Sequence, residues 1–257
     1  MSGIREPVGA GAFYPARAAE LADYVDLLLD AAEPPAVPGA LRALVVPHAG
    51  HVYSGAVAAA AFATLPLHAP RLRVALLGPS HFVPLAGAAV TGADAWRTPL
   101  GDVPVDDSLR TAALAAGAVV DDRPHSADHA LEVELPYLQR RAAPDLRVLP
   151  VAIGHDGLEV VPRLAEDALL VVSTDLSHYH DDATARLLDR RTADRVLELD
   201  AEAIGDRDAC GAAALRALLR CARAAGWTCT LLELRTSADA SGDARRVVGY
   251  GAFAFYL

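Results

Sequence analysis

The sequence contains no lysine and no asparagine, and all 23 of its basic residues are arginine. Without an amine side chain there is no Schiff-base lysine, no pyridoxal phosphate attachment and no Walker lysine. Neither GxxxxGKS nor GxGxxG occurs. Cysteine is scarce as well: Cys210, Cys221 and Cys229 form an odd set with no CxxC pair, which argues against a disulfide framework or a four-thiolate zinc site. Cys210 and Cys221 fall on one face of a helical stretch, so buried free thiols packing as small hydrophobes are expected. No apolar run approaches the roughly 20 residues of a membrane span. The opening MSGIREPVGAGAFYP has neither an apolar signal core nor a basic amphipathic pattern. A cytoplasmic protein with no membrane partner is expected. The formal net charge of −10 and a pI near 5.3 would repel a phosphate backbone, so no nucleic acid partner is expected either.

What is present is a chain of 257 residues, 53% hydrophobic and 22% charged, with mean hydropathy +0.24. At about 150 residues per domain, that length suits one large α/β domain or two small ones. No repeat or low-complexity linker divides it, and the Pro-rich patch Glu33 to Gly39 is short enough to be a loop, so a single domain over 1–257 is expected. Short continuous apolar runs alternate with segments of helical period, the pattern of strands buried on both faces of a mostly parallel sheet with helical crossovers. The runs predict strands at Leu41 to Val46, Leu72 to Leu77, Leu146 to Ile153, Ala168 to Val172, Thr228 to Leu234 and Val247 to Tyr256. Helices are predicted over Ala16 to Ala32, Gly55 to Thr64, Asp107 to Ala116, Ala130 to Ala142, Leu158 to Asp167, Asp182 to Leu199 and Ala209 to Ala225. Asp181 or Asp182 can cap the Arg-rich helix, and Gly226 can end the last one. Val83 to Pro104, with its glycines, prolines and Trp96, has no helical period and reads as an irregular excursion contributing to a pocket wall.

The histidines fall where ligands bind in such a sheet, beyond the carboxyl ends of the strands. Val46-Pro47 runs into His48-Ala49-Gly50-His51, Gly78-Pro79 into Ser80-His81, Gly154 into His155, and Ser173-Thr174 into Asp175-Leu176-Ser177-His178. Parallel pairing of those strands would gather His48, His81 and His178 into one site, whereas His68 and His180 read as solvated loop residues and His125 and His155 remain open. Two imidazoles with a carboxylate oxygen and open positions suit iron, copper or zinc, and the two-histidine, one-carboxylate set points to non-haem iron. His48 and His81 supply the imidazoles. Asp175 is either the oxygen ligand or the partner that orients His178 as a general acid or base, with a helix or turn cap as the bland alternative. Asp128-His129-Ala130-Leu131-Glu132-Val133-Glu134-Leu135-Pro136-Tyr137 reads as a helix start. Asp128 would cap it, and His129 and Glu132 would either line the pocket or form an exposed pair.

Taken in order, five stretches resemble the motifs of the Memo family, whose bacterial members are called AmmeMemoRadiSam system protein B. They are Pro-His-Ala-Gly-His-Val-Tyr-Ser-Gly (47–55), Gly-Pro-Ser-His (78–81), His-Ala-Leu-Glu-Val-Glu-Leu-Pro-Tyr-Leu (129–138), Ser-Thr-Asp-Leu-Ser-His-Tyr (173–179) and Val-Gly-Tyr-Gly-Ala (248–252). The opening Arg-Glu-Pro-Val-Gly-Ala-Gly-Ala-Phe-Tyr-Pro (5–15) matches too. The family is similar in fold to class III extradiol dioxygenases of the LigB type, which are non-haem iron enzymes. The resemblance implies His48 and His81 as metal ligands, Asp175 and His178 beside the metal, and His178 at the position of the dioxygenase acid/base. His51, Tyr53, Ser80, His129 and Glu132 are the candidate pocket residues. Family members with a cysteine as third ligand carry it before the final strand, where this chain has Ala240 and no cysteine anywhere in 236–243. The dioxygenase glutamate is also missing. The third position would then fall to Asp239, Asp175, His178 or solvent.

Three functions follow. The first is a dioxygenase-like oxidoreductase using iron or copper on a small planar substrate. The second is a binding module for a peptide, an anion or a protein partner, the family name pointing to radical S-adenosylmethionine system proteins. The third, and weakest, is zinc-assisted hydrolysis.

Overall fold

The computed structural model describes residues 3–36 and 38–257. Val37, inside the Glu33 to Gly39 patch, and Met1 and Ser2 of the opening segment lie outside the described residues. The strands are β1 (Ile4–Arg5), β2 (Leu41–Val46), β3 (Arg73–Gly78), β4 (Ala88–Val90), β5 (Ala95–Thr98), β6 (Gly101–Pro104), β7 (Val119–Val120), β8 (Arg147–Ile153), β9 (Leu169–Ser173), β10 (His178–His180), β11 (Thr228–Thr236) and β12 (Val247–Tyr256). The helices are α1 (Ala18–Asp30), α2 (His51–Phe62), α3 (Asp107–Ala115), α4 (Arg123–Ser126), α5 (Leu135–Arg141), α6 (Val160–Ala165), α7 (Asp182–Leu197), α8 (Ala212–Ala225) and α9 (Ala238–Ser241).

The main sheet has nine strands in the order β10-β12-β2-β9-β3-β8-β4-β7, with β11 along β12. Its centre, β2-β9-β3-β8, is parallel, in registers that set Val46 beside Ser173, Leu77 beside Val172 and Gly78 beside Ala152. Those strands are apolar without alternation because both faces are covered; Leu44, Leu76, Leu149 and Val171 are fully buried. Each such side chain contributes about 1.5–3 kcal/mol by leaving water. The flanking strands β4, β11 and β12 run antiparallel to their neighbours β8, β12 and β2, so the sheet is mixed, parallel at its centre and again at the short β4–β7 edge pair.

Helix α1 buries Leu21, Val25 and Leu29 along one stripe. Helix α2 presents Ala58, Ala59 and Ala61, small enough to lie close on its neighbours. Asp181 caps α7 by accepting from the Thr184 amide at 3.0 Å, and Gly226 ends α8 at φ 70, as expected.

Three expectations change. Val83 to Pro104 is not irregular: it holds β4, paired on β8, and β5 and β6, which form a separate three-stranded sheet with β1. These strands are short and broken by glycine and proline, so no period shows. Trp96 is fully buried on β5 beneath the Arg5 guanidinium, 4.1 Å from its ring, though Pro84 and Leu85 do line a cavity. The expected helix Ala130 to Ala142 starts late, as a 3-10 turn Glu132–Glu134 followed by α5, whose second residue is Pro136. Proline fits there because the first turn donates no intrahelical bonds. Finally, α2 starts at His51 rather than Gly55, because the His51 amide donates to the Phe13 carbonyl at 2.7 Å and seats the helix end.

Candidate metal centre

Strands β2 and β3 lie on either side of β9, so their ends stand two strand spacings apart, roughly 10 Å. His48 and His81 close that distance by leaning over the end of β9. The His48 amide donates to Asp175 Oδ1 at 2.8 Å, and the Thr174 amide donates to the Val46 carbonyl at 2.8 Å. The His81 amide donates to Asp128 Oδ2 at 2.7 Å, and its Nδ1 faces Asp128 Oδ1 at 3.1 Å. Ser80 shapes this turn by donating to the Val83 carbonyl at 2.6 Å. The two imidazoles meet edge to face with centroids 5.1 Å apart.

The third donor is Cys210. Its Sγ lies 3.2 Å from His48 Nε2, and one ligand atom from each of His48, His81 and Cys210 falls within 4.8 Å of the others. Metal–nitrogen bonds near 2.0 Å and metal–sulfur bonds near 2.3 Å hold neighbouring donors roughly 3–4 Å apart, so the trio fits one ion. Cys210 is therefore not a packing thiol on the helix of Cys221: α8 begins only at Ala212. The turn before α8 is tied to the end of β9 instead, with the Cys210 amide donating to the Asp175 carbonyl at 3.1 Å and the Gly211 amide to Thr174 Oγ1 at 2.7 Å. A Cβ on Gly211 would come 2.8 Å from Thr174 Cβ, so glycine is what lets the turn approach. The Asp175 amide in turn points at Cys210 Sγ, 3.2 Å away. Cys221 matches the buried-thiol expectation while Cys229 is half-buried, and desolvation pushes both thiols up.

The loop stretch 236–243 contributes no member of the trio. Asp239 is engaged by Arg186 at 2.8 Å and by the Thr236 amide at 2.9 Å. His178 also stands outside the trio. Its Nδ1 faces the Leu176 carbonyl at 2.8 Å, which only accepts, so Nδ1 carries a proton. Its loop is braced by Leu176 N to Gly249 O at 2.8 Å and Ser177 N to Asp189 Oδ1 at 2.9 Å. Asp175 neither caps a helix nor holds the His178 ring through any hydrogen bond seen among the described residues; one of its oxygens fixes the His48 main chain.

The pocket candidates divide. His129 lies in the wall, stacked on Phe13 at 3.7 Å with centroids 5.9 Å from His48 and 5.7 Å from His81. Burial, then repulsion from His48, lowers its pKa to about 4, so it is neutral. Asp128, far from capping a helix, holds His81, whose pKa rises to about 9 through that bond and the one to Cys210. Tyr53 is exposed at the rim. His51 turns inward, its Nε2 2.8 Å from the Val133 carbonyl, and burial lowers it to about 4. Glu132 makes no pair with His129. It receives Arg5 Nη1, the Tyr14 hydroxyl, and the amides of Val8 and Gly9 at 2.8 Å, clamping the chain's opening segment onto the core. A cavity of about 420 Å³ lies at the other end of the sheet around Arg73 and Asp106, whereas one of about 400 Å³ lined by Ser80, Leu85, His155 and Cys210 adjoins the trio.

Sequence reasoning missed Cys210, Ser173 and Glu134. The available signals were a Cys-Gly pair just ahead of an apolar helix and an acid inside the apolar run Leu131 to Leu138.

A family model described as Memo-like protein matches residues 5–254. Among curated relatives, a MEMO1 family protein of Methanosarcina mazei is 33% identical over 97% of this chain and 98% of its own length. MEMO1 family protein MK0963 of Methanopyrus kandleri is 34% identical over 98% of each. A MEMO1 family protein of Methanococcoides burtonii is 36% identical over 97% of this chain and 98% of its own length. No described helix is long and apolar enough to cross a membrane.

Proposed function

This chain belongs to the Memo family, and we propose that it is a metal-binding redox protein whose ion, copper or iron, is held by His48, His81 and Cys210. The observation that carries the reading is the convergence of two imidazoles and a thiol within 4.8 Å at the strand ends. Imidazole suits copper, iron and zinc; the thiolate tips the balance toward copper, for which a trigonal two-histidine, one-cysteine set is a known arrangement. The ion would supply one-electron chemistry and open positions for a small molecule. The chain's own residues supply the rest. Asp175 and Asp128 hold the two histidine main chains, and Phe13 and His129 wall the centre with a neutral face. The cavity at Ser80, Leu85 and His155, which Cys210 also lines, receives a small planar substrate, and His178 remains the candidate acid or base of this reading. The fold likeness to LigB-type dioxygenases belongs to the same proposal, as does action in the cytoplasm.

Elemental analysis of protein purified without chelator tests this. Copper or iron near one per chain is expected, falling at least tenfold in His48→Ala and Cys210→Ala. Metal that ignores both substitutions would overturn the reading.

A second reading draws on exposed aromatics next to two of the histidines. Phe82 next to His81 and Tyr179 next to His178 are 62% and 63% exposed, and Arg246 stacks on Tyr179 at 4.4 Å. Such a rim suits a peptide or a protein partner, radical S-adenosylmethionine system proteins included. Partner capture by Cys210→Ala protein that is equal to wild type, without turnover in either, favours this reading over the first.

A further inference from the structure

Ser173 ends β9 directly beneath His48, and three groups crowd its hydroxyl. The Ala130 carbonyl lies 2.7 Å from Oγ, His48 Nδ1 2.8 Å and Glu134 Oε1 3.1 Å. A hydroxyl has one proton to give and two lone pairs to fill. A carbonyl oxygen only accepts, so the serine proton goes to Ala130. Both lone pairs then face His48 and Glu134, and each needs a donor. The imidazole meets this with Nδ1–H. A carboxylate cannot meet it, since an ionised Oε1 would set lone pair against lone pair; a carboxylic acid can.

We propose that Glu134 is a protonated carboxylic acid that donates to Ser173, and that the two together are positioning residues which lock His48 in its Nδ1–H tautomer, with Nε2 bare toward Cys210. The inference rests on the metal-binding reading only for its purpose; the geometry exists in the protein chain alone. Three observations support it. Glu134 is wholly buried, and its Oε2 has no hydrogen-bond partner among the described residues. An orphan carbonyl oxygen of a neutral acid is far cheaper to bury than an orphan charge. Burial is also the leading cause that lifts this carboxyl to about 8, against smaller opposing effects of His48 and the Ser173 bond. Finally, nothing basic compensates it: no salt bridge to Glu134 exists among the described residues, whereas Glu132, on the same 3-10 turn, takes an arginine. Histidine ligands are generally oriented through the nitrogen that does not bind the ion. Here a serine that has already spent its proton does this, and Glu134 keeps that serine from turning round.

Imidazole nitrogen NMR on metal-free protein, with His48 assigned from His48→Gln, reads the tautomer. Infrared spectroscopy at neutral pH reads the acid as a protonated-carboxyl carbonyl band that disappears in Glu134→Gln. Expected are that band in wild type, an Nδ1–H form of His48 in wild type and Glu134→Gln, whose amide N–H replaces the acid, and a mixture of tautomers in Glu134→Met and Ser173→Ala. Titrated with copper, Glu134→Gln should bind within about threefold of wild type, and Glu134→Met on the order of tenfold or more weaker. Absence of the band, or Glu134→Met holding the Nδ1–H form as firmly as wild type, overturns the proposal. Should a variant fail to fold, the wild-type band and tautomer decide alone. Should the protein bind no metal, these two readouts still stand, so the inference and the proposed function fail separately.

Discussion

Glu132 and Glu134 sit on one 3-10 turn, both fully buried, and they live in opposite electrostatic conditions. Glu132 receives a guanidinium, a phenol and two amides; Glu134 has one hydroxyl and an oxygen with no partner among the described residues. A carboxylate saturated by donors can be buried as a charge, and one without them is carried as an acid. The first holds the chain's beginning in place. Its partner Arg5 also donates to the Asp128 carbonyl at 2.7 Å, and Asp128 grips His81, so the clamp reaches the centre through Asp128.

The largest test of this contrast is Glu132→Ala, which strands the buried Arg5 charge. Denaturant unfolding should show a loss of about 3–5 kcal/mol, and a loss under about 1 kcal/mol would break the comparison. Next comes acid. His51 is a buried neutral group, its pKa lowered from 6.5 to about 4 by burial. The unfolded chain takes up protons first as pH falls, so its contribution is intact above 6.5 and declines as pH drops toward 4, by on the order of 3 kcal/mol. A pH series of unfolding midpoints, flatter in His51→Gln, checks the sign. Gly211→Ala acts on the Cys210 side alone. Forcing a methyl against Thr174 should cost about 1–3 kcal/mol and weaken metal binding, whereas unchanged metal affinity would mean the turn has room to move. The smallest effect belongs to Glu134→Gln in acid, within about 1 kcal/mol of wild type below pH 4.5, where both chains bury a neutral group. Its pH dependence is the sharper readout: the acid's pKa is raised from 4.5 to about 8, so wild type loses this contribution as pH rises through that interval and the glutamine variant does not.

The parallel centre and the two histidines were legible because both leave local traces. Leu41 to Val46 and Val247 to Tyr256 are recovered residue for residue, since a strand covered on both faces must be apolar throughout, and a histidine just past it stands on the rim. Cys210 left no such trace. It reaches the centre because main-chain bonds to Asp175 and Thr174 draw its turn inward, and a helical period running up to it suggested packing instead. Glu132 misled for the same reason. Its spacing offered His129 as a neighbour, while its partners Tyr14 and Arg5 lie 118 and 127 positions away in the chain. Distance along the sequence hides tertiary partners; repeated patterns along it do not.

Because His48 and His81 hang from strands that flank a third, the gap they span is measured out by two rows of inter-strand hydrogen bonds, the least elastic ruler a sheet possesses. Loop changes cannot stretch it. Only the cysteine, mounted on a turn rather than on the ruler, is free to be relocated or exchanged, so tuning this centre for a different ion would proceed through that one movable jaw.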